Sequence, residues 1–123
     1  MEEYDPEQDL ATEEWLDLDE QERMILVEDY HRGHGIRMPS VEGHAAIHAT
    51  VENQLALAEP VVVATLARLR REGLDRHDAV HAIGSVIASQ LQALLTNPNV
   101  QAPPVERYHE ALGRLSATKW RAG

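Results

Sequence analysis

Nowhere in the 123 residues do apolar and polar side chains alternate at a two-residue period. A half-buried strand needs that alternation, so the chain offers nothing from which to build a sheet. Apolar residues instead recur three and four apart, in segments punctuated by Pro and Gly. Thr12 followed by Glu13 and Glu14 reads as an N-cap with acids in the first turn, opening a short helix through Trp15 and Leu16. Asp19 and Glu22 have capping-box spacing, and Met24, Leu26, Val27 and Tyr30 supply the next apolar face until Gly33. Ser40 is placed to cap a helix running to about Ala58, with Ile47, Val51 and Leu55 at four-residue steps. Pro60 suits the first position of the next helix, which carries Val62, Leu66 and Leu69 and stops at Gly73. Asp75 caps a long helix to about Thr96, and a last one places Val105, Tyr108, Leu112 and Leu115 on one face. The expectation is all-α: a single-domain bundle of about four to five helices over residues 19–123, with short antiparallel connections.

The core of this bundle has no Phe and few aromatics of any kind, 4% of the chain. Ala, Leu, Val and Ile must fill it by close helix packing. Between Asp78 and Glu106 no residue is charged, a run long enough to raise the question of a membrane span. Ser85, Ser89, Gln90, Gln92 and His81 interrupt it, and a buried core helix is the expectation, with no membrane partner.

Charge is distributed unevenly. Residues 1–30 hold thirteen carboxylates against Arg23 alone, whereas the rest of the chain is nearly neutral. Residues 1–18 therefore read as an acidic N-terminal arm carrying the short helix. Such an arm either docks on a basic partner or keeps the chain in solution. A net charge of −10 argues against a general nucleic-acid binder. The absence of Cys removes disulfides, thiolate metal sites and cysteine nucleophiles. No basic stretch followed by an apolar one opens the chain, so a cytoplasmic location is expected.

Four of the seven histidines fall into two identical spacings, His44-Ala-Ala-Ile-His48 and His77-Asp-Ala-Val-His81. Residues four apart share a helix face, so each pair can grip one cation. With His44 at 0°, helical steps put His48 at about 40°, Val51 at about 340° and Leu55 at about 20°, on the apolar stripe. From His77, His81 is at about 40° and Gly84, Ala88, Leu91 and Leu95 fall within about 40° of zero. Both pairs face inward, and Gly84 lets the helix backbones approach. Each unpaired buried ring nitrogen costs about 1–3 kcal/mol. One cation would satisfy four of them at once.

Imidazole-only ligation suits zinc or iron and disfavours magnesium or calcium. The expected ligands are His44, His48, His77 and His81. Glu52, one turn beyond His48, is about 12 Å along the helix from His44, too far for both to hold one ion. It is the candidate catalytic base beside a metal-bound water, an acceptor behind His48, or a ligand to a second metal. His31 and His34 flank Gly33 and are expected as a loop-exposed pair, with a fifth ligand swinging in from them as the alternative, and His109 as a surface residue. Asn53 and Gln54 receive no role. The zinc-protease HExxH signature is absent, as are any Asp after Asp78 that an HD phosphohydrolase would need, and P-loop, GxGxxG or GxSxG motifs.

The run from His44-x-x-x-His48 through Glu52-Asn53-Gln54 to His77-Asp-Ala-Val-His81-Ala-Ile-Gly84 resembles a small bacterial family of all-helical proteins of unknown function. That family carries two HxxxH pairs separated by an acid-Gln step. The resemblance spans roughly residues 40–95 and implies that the paired histidines act as a unit. It implies no activity. Two functional expectations follow. The first is a divalent-metal-binding helical bundle, zinc or iron, extending to a metal-dependent hydrolase with Glu52 as base and a small-molecule substrate. The alternative is a non-catalytic interaction module, with the acidic arm around Trp15 and Leu16 docking on a protein partner, or a homo-oligomer, and the histidines as packing.

Overall fold

The computed structural model describes residues 1–33, 41–97, 99 and 105–122. Every regular element among them is a helix: α1 (Thr12–Asp17), α2 (Glu20–Gly33), α3 (Val41–Ala56), α4 (Pro60–Arg71), α5 (Arg76–Thr96), α6 (Val105–Arg114) and α7 (Ala117–Ala122). The all-α expectation holds, with seven helices where about four to five were expected.

Local signals set most of the boundaries. Asp19 and Glu22 form the capping box that opens α2: Glu22 N–H donates to Asp19 Oδ1 (2.8 Å) and Asp19 N–H to Glu22 Oε1 (3.5 Å). Asp75 Oδ1 accepts from Asp78 N–H (2.8 Å) and opens α5. Pro60 stands at the start of α4, where its missing N–H costs nothing. Gly73, at φ +108°, turns the chain out of α4 in a conformation that side-chain-bearing residues avoid. Two expectations fail locally. Thr12 lies inside α1 and Ala11 takes the cap position without a side-chain hydrogen bond, so this six-residue helix is held by tertiary packing. The short α7 has no strong sequence signal. Glu72, forty-five residues upstream, fixes its first turn by accepting from Ala117 N–H (2.9 Å). The cap expected at Ser40 lies outside the described residues.

Helix α3 is the centre of the bundle and serves two apolar clusters. One gathers Val51 with Val62, Leu69, Val80, Ile83 and Leu112 from α4, α5 and α6. The other gathers Ala45 and Ala49 with Val27 of α2 and with Tyr4 and Trp15 from residues 1–18. The acidic segment is thus folded onto the bundle rather than extended from it. Trp15 is fully buried and donates through Nε1 to Asn53 Oδ1 (2.9 Å). The same Asn53 oxygen accepts from Arg23 Nη1 at 3.0 Å, tying α1, α2 and α3 together.

Helices α3 and α5 run antiparallel and close together. A Cβ on Gly84 would stand 3.0 Å from Ile47 Cγ2, so glycine is what permits this approach. The register sets Glu52 beside Arg76 and His44 beside His81, so α5 outlasts the start of α3 by about two turns. Its first half accordingly buries Ala79, Val80, Ala82, Ile83 and Gly84, while Leu91 (46%) and Leu95 (76%) are exposed. The expectation of a core helix therefore holds for the N-terminal half of the uncharged run only. By length and composition α5 is apolar enough to cross a membrane, at a mean hydropathy of 1.3.

Candidate metal centre

Three of the four histidines singled out by spacing meet between α2, α3 and α5, and His31 joins them. One ring nitrogen each from His31, His44, His48 and His81 lies within 4.8 Å of all the others, a group that could hold a metal ion. His31 and His48 are almost completely buried, at 1% and 2% exposure, and His44 and His81 are half-buried. His77 stands against the group, its ring centroid 4.1 Å from that of His81 and 5.4 Å from that of His48. The expectation of a loop-exposed His31 is corrected. Helix α2 continues to Gly33, which places His31 one turn after buried Val27 on the inward face. His34 lies outside the described residues. His109 is half-buried, 3.8 Å from Glu59.

Hydrogen bonds define which nitrogen each buried ring presents. His31 Nδ1 is 2.7 Å from the Val27 carbonyl, which can only accept, so Nδ1 carries the proton. Its Nε2 then bears a lone pair, is buried, and has no hydrogen-bond partner among the described residues. His48 is fixed by a longer chain. Arg76 donates twice to Glu52, Nη1 to Oε2 (2.9 Å) and Nη2 to Oε1 (2.8 Å), and Nη1 also donates to the Pro6 carbonyl (2.8 Å). This fork holds Glu52, at 0% exposure, as a carboxylate that can only accept. The Tyr4 hydroxyl donates to Glu52 Oε2, and its oxygen lies 2.6 Å from His48 Nε2. With the hydroxyl proton directed at Glu52, His48 must donate from Nε2. That leaves its buried Nδ1 as a lone pair, also without a partner among the described residues.

His44 Nε2 and His81 Nε2 approach to 2.9 Å, close enough to share one proton. A tetrahedral ion bound at 2.0–2.1 Å sets its nitrogen donors about 3.3 Å apart. This pair is therefore near that separation already, and the wider contacts close by at most about 1.5 Å.

The surroundings favour neutral rings, the form that binds metal. His81 is pushed down to about 3 by burial first and then by His77, His44 and His31. Burial, followed by the neighbouring histidines, holds His48 well below the ordinary histidine value, and burial with His31 lowers His44. Burial and the Glu52 carboxylate hold the Tyr4 phenol far above its usual range, so it remains a hydroxyl. Burial works against the charge of Arg76, but its bonds and attraction to Glu52 outweigh that and strengthen it.

Three of the four rings, His44, His48 and His81, also form one end of a cavity of about 210 Å³ between α3 and α5. Its walls include Ile47, Val80, Ala88 and Trp120 of α7, and none of the described residues lining it is charged. Tyr4 and Arg76 had no sequence signal pointing at the histidines. They are 44 and 24 residues from the side chains they engage, and nothing periodic connects them. Arg76 had one available hint, an arginine directly after the Asp75 cap at the head of an otherwise apolar helix. The chain matches no protein-family model, no curated protein and no solved structure.

Proposed function

We propose that this protein is a divalent transition-metal protein whose ion, zinc or iron, is held by His31 Nε2, His48 Nδ1, His44 and His81 at the junction of α2, α3 and α5. The observation that carries this is the pair of buried, unpartnered ring nitrogens on His31 and His48, each left by a hydrogen bond on the opposite nitrogen. Packing histidines would use both nitrogens or turn one to water. A ligand histidine has this other arrangement, with the far nitrogen anchored to a carbonyl or carboxylate chain and the near one bare. Four neutral imidazoles suit zinc, iron, copper or nickel rather than magnesium or calcium.

In this reading Glu52 serves the centre from behind. It is buried, paired with Arg76, and bonded to Tyr4, and its Oε2 is 4.0 Å from His48 Nε2, so it orients the ligand instead of reaching a substrate. The cavity is bordered by His44, His48 and His81, and Lewis-acid hydrolysis there would require one coordination position to be left to water instead of the fourth histidine.

Elemental mass spectrometry on untagged protein, purified without chelator, tests the reading. Close to one zinc or iron per chain is expected, and its loss in the His48→Ala/His81→Ala double variant. A folded, metal-free wild type that gains no thermal stability from added zinc or iron would overturn it, since a specific ligand stabilises by mass action.

A further inference from the structure

We infer that the cavity beside the four histidines is a binding site for a small carboxylate with an apolar tail, its oxygens on the metal ion and its hydrocarbon part between α3, α5 and Trp120. The inference rests on the metal centre proposed above and adds what that centre takes from solution.

Charge is the first argument. Four neutral imidazoles leave a divalent ion with its full double charge, and a buried cation requires a compensating anion. Glu52, the buried carboxylate of this region, is already neutralised by the Arg76 fork at 2.8 and 2.9 Å. Among the described residues the cavity is lined by no charged one. A carboxylate entering the cavity would supply that charge in place of a hydroxide from water, and on the cavity side the ion is the group that can receive it. An anion without an apolar part would gain nothing from the remaining walls, and a cation would face the ion with no acceptor to hold it.

Position is the second. His44, His48 and His81 border the cavity, whereas His31 does not. An incoming donor would approach from the cavity, past those three rings. The carboxylate would either raise the coordination to five, as catalytic zinc sites at times do, or take the place of one histidine.

Size and lining set the tail. At about 210 Å³ the space exceeds the roughly 150 Å³ hole that accommodates benzene and falls short of the roughly 300 Å³ at which drug-sized pockets begin. Ile47, Val80 and Ala88 supply aliphatic contact, and Trp120 a flat aromatic wall. Gly84, packed against Ile47, is among the lining residues and adds no side chain to the cavity. The ligand class is a monocarboxylate about the size of benzoate.

Cobalt(II) substitution tests this, because the visible bands of the ion report its donors whether or not any reaction occurs. The cobalt-loaded protein is titrated with benzoate, acetate and benzylammonium, and Trp fluorescence is followed alongside. Benzoate is expected to shift the cobalt bands with at least about tenfold higher affinity than acetate. Benzylammonium, of the same shape and opposite charge, is expected to leave them unchanged. In Ala88→Phe, which fills the cavity, the cobalt bands should persist while the preference for benzoate over acetate disappears. Cobalt bands indifferent to benzoate, or equal affinity for benzoate and acetate in the wild type, would overturn the ligand site and leave the metal centre standing. Failure to take up cobalt at all would remove the centre and the ligand site together.

Discussion

Tyr4 Oη lies 2.6 Å from His48 Nε2, across forty-four residues of sequence. Through this contact the acidic N-terminal segment determines the tautomer of a histidine in the middle of α3. Tyr4→Phe keeps the ring in its place against Trp15 and Tyr30 and removes only the hydroxyl. Glu52 keeps its Arg76 fork, but His48 Nε2–H loses its acceptor and the Nδ1 lone pair is no longer enforced. Removing such a partner of a ligating histidine lowers metal affinity about 10- to 100-fold. Competition for zinc against a chromophoric chelator should show that drop with the far-ultraviolet spectrum unchanged, and wild-type affinity would count against the relay.

The Arg76–Glu52 pair makes a separate prediction about stability. Both side chains are buried, and removing one partner strands a charge where water cannot reach it. Arg76→Met should lower the unfolding free energy by about 3–5 kcal/mol, and Glu52→Leu by a similar amount. The double variant should recover a large part of that loss, because no lone charge remains. Denaturant midpoints of the three variants and wild type complete the cycle. Additive losses would show that the two side chains do not act as a pair.

What the sequence made legible, and what it hid, follows the range of the interactions. Caps and breakers act within three or four residues, and Asp19, Glu22, Pro60, Asp75 and Gly73 marked their boundaries correctly. The HxxxH spacings act within one turn, and they placed His44, His48 and His81 on inward faces. His31 was missed because its partners at i+4 and beyond lie past the helix end, so only the packing of α2 against α3 reveals its direction. The triplet Glu52-Asn53-Gln54 was visible as polar residues on an apolar helix, but its meaning is long-range. Glu52 meets Tyr4 and Arg76, Asn53 meets Trp15 and Arg23, and Gln54 accepts from Tyr108 of α6 at 2.7 Å. Three consecutive residues, about 100° apart around one helix, thus join it to three different parts of the fold. The expectation that α5 is core throughout failed because apolar periodicity cannot register where the facing helix begins.

The lowered histidine values predict an acid limit for the metal-free protein. A histidine whose folded value lies below its unfolded one contributes stability that is fully present above the unfolded value and is lost as pH falls toward the folded one. With His81 at about 3 in the fold and about 6.5 unfolded, and His48 shifted in the same direction, stability should decline from about pH 6.5 toward pH 3. Urea midpoints of metal-free protein across that range should fall. Those of His81→Gln should fall less steeply, since one of the groups that must be kept neutral is gone. A wild-type midpoint that is flat over this interval would contradict the buried neutral cluster.

His31 and His77 compete for the fourth place in the proposed ligand set. The donor group that lies within 4.8 Å throughout contains His31, and His31 Nδ1 is anchored to Val27 in the way a ligand ring is held. His31→Gln should therefore retain well under one metal per chain after dialysis, and His77→Gln should retain close to one. The reverse result would return the site to the four histidines of the two HxxxH pairs.

The packing of residues 1–18 makes the last prediction, and it separates two roles for the acidic segment. As a free docking arm it could be removed without consequence for the bundle. Here Tyr4 and Trp15 lie in the apolar cluster with Ala45 and Ala49, and the Pro6 carbonyl accepts from Arg76. Glu7 Oε1 accepts from the His77 N–H at the first turn of α5, where a carboxylate also complements the helix dipole. Deleting residues 1–18 exposes that cluster, takes the acceptor from His48 and removes part of the α5 cap. The truncated chain should melt well below the full-length protein and bind zinc more weakly than Tyr4→Phe does, because the single substitution removes one of these three contributions and the deletion removes all of them. A truncated chain with the wild-type midpoint and full metal content would instead identify the segment as an appendage, with its acids available for a partner.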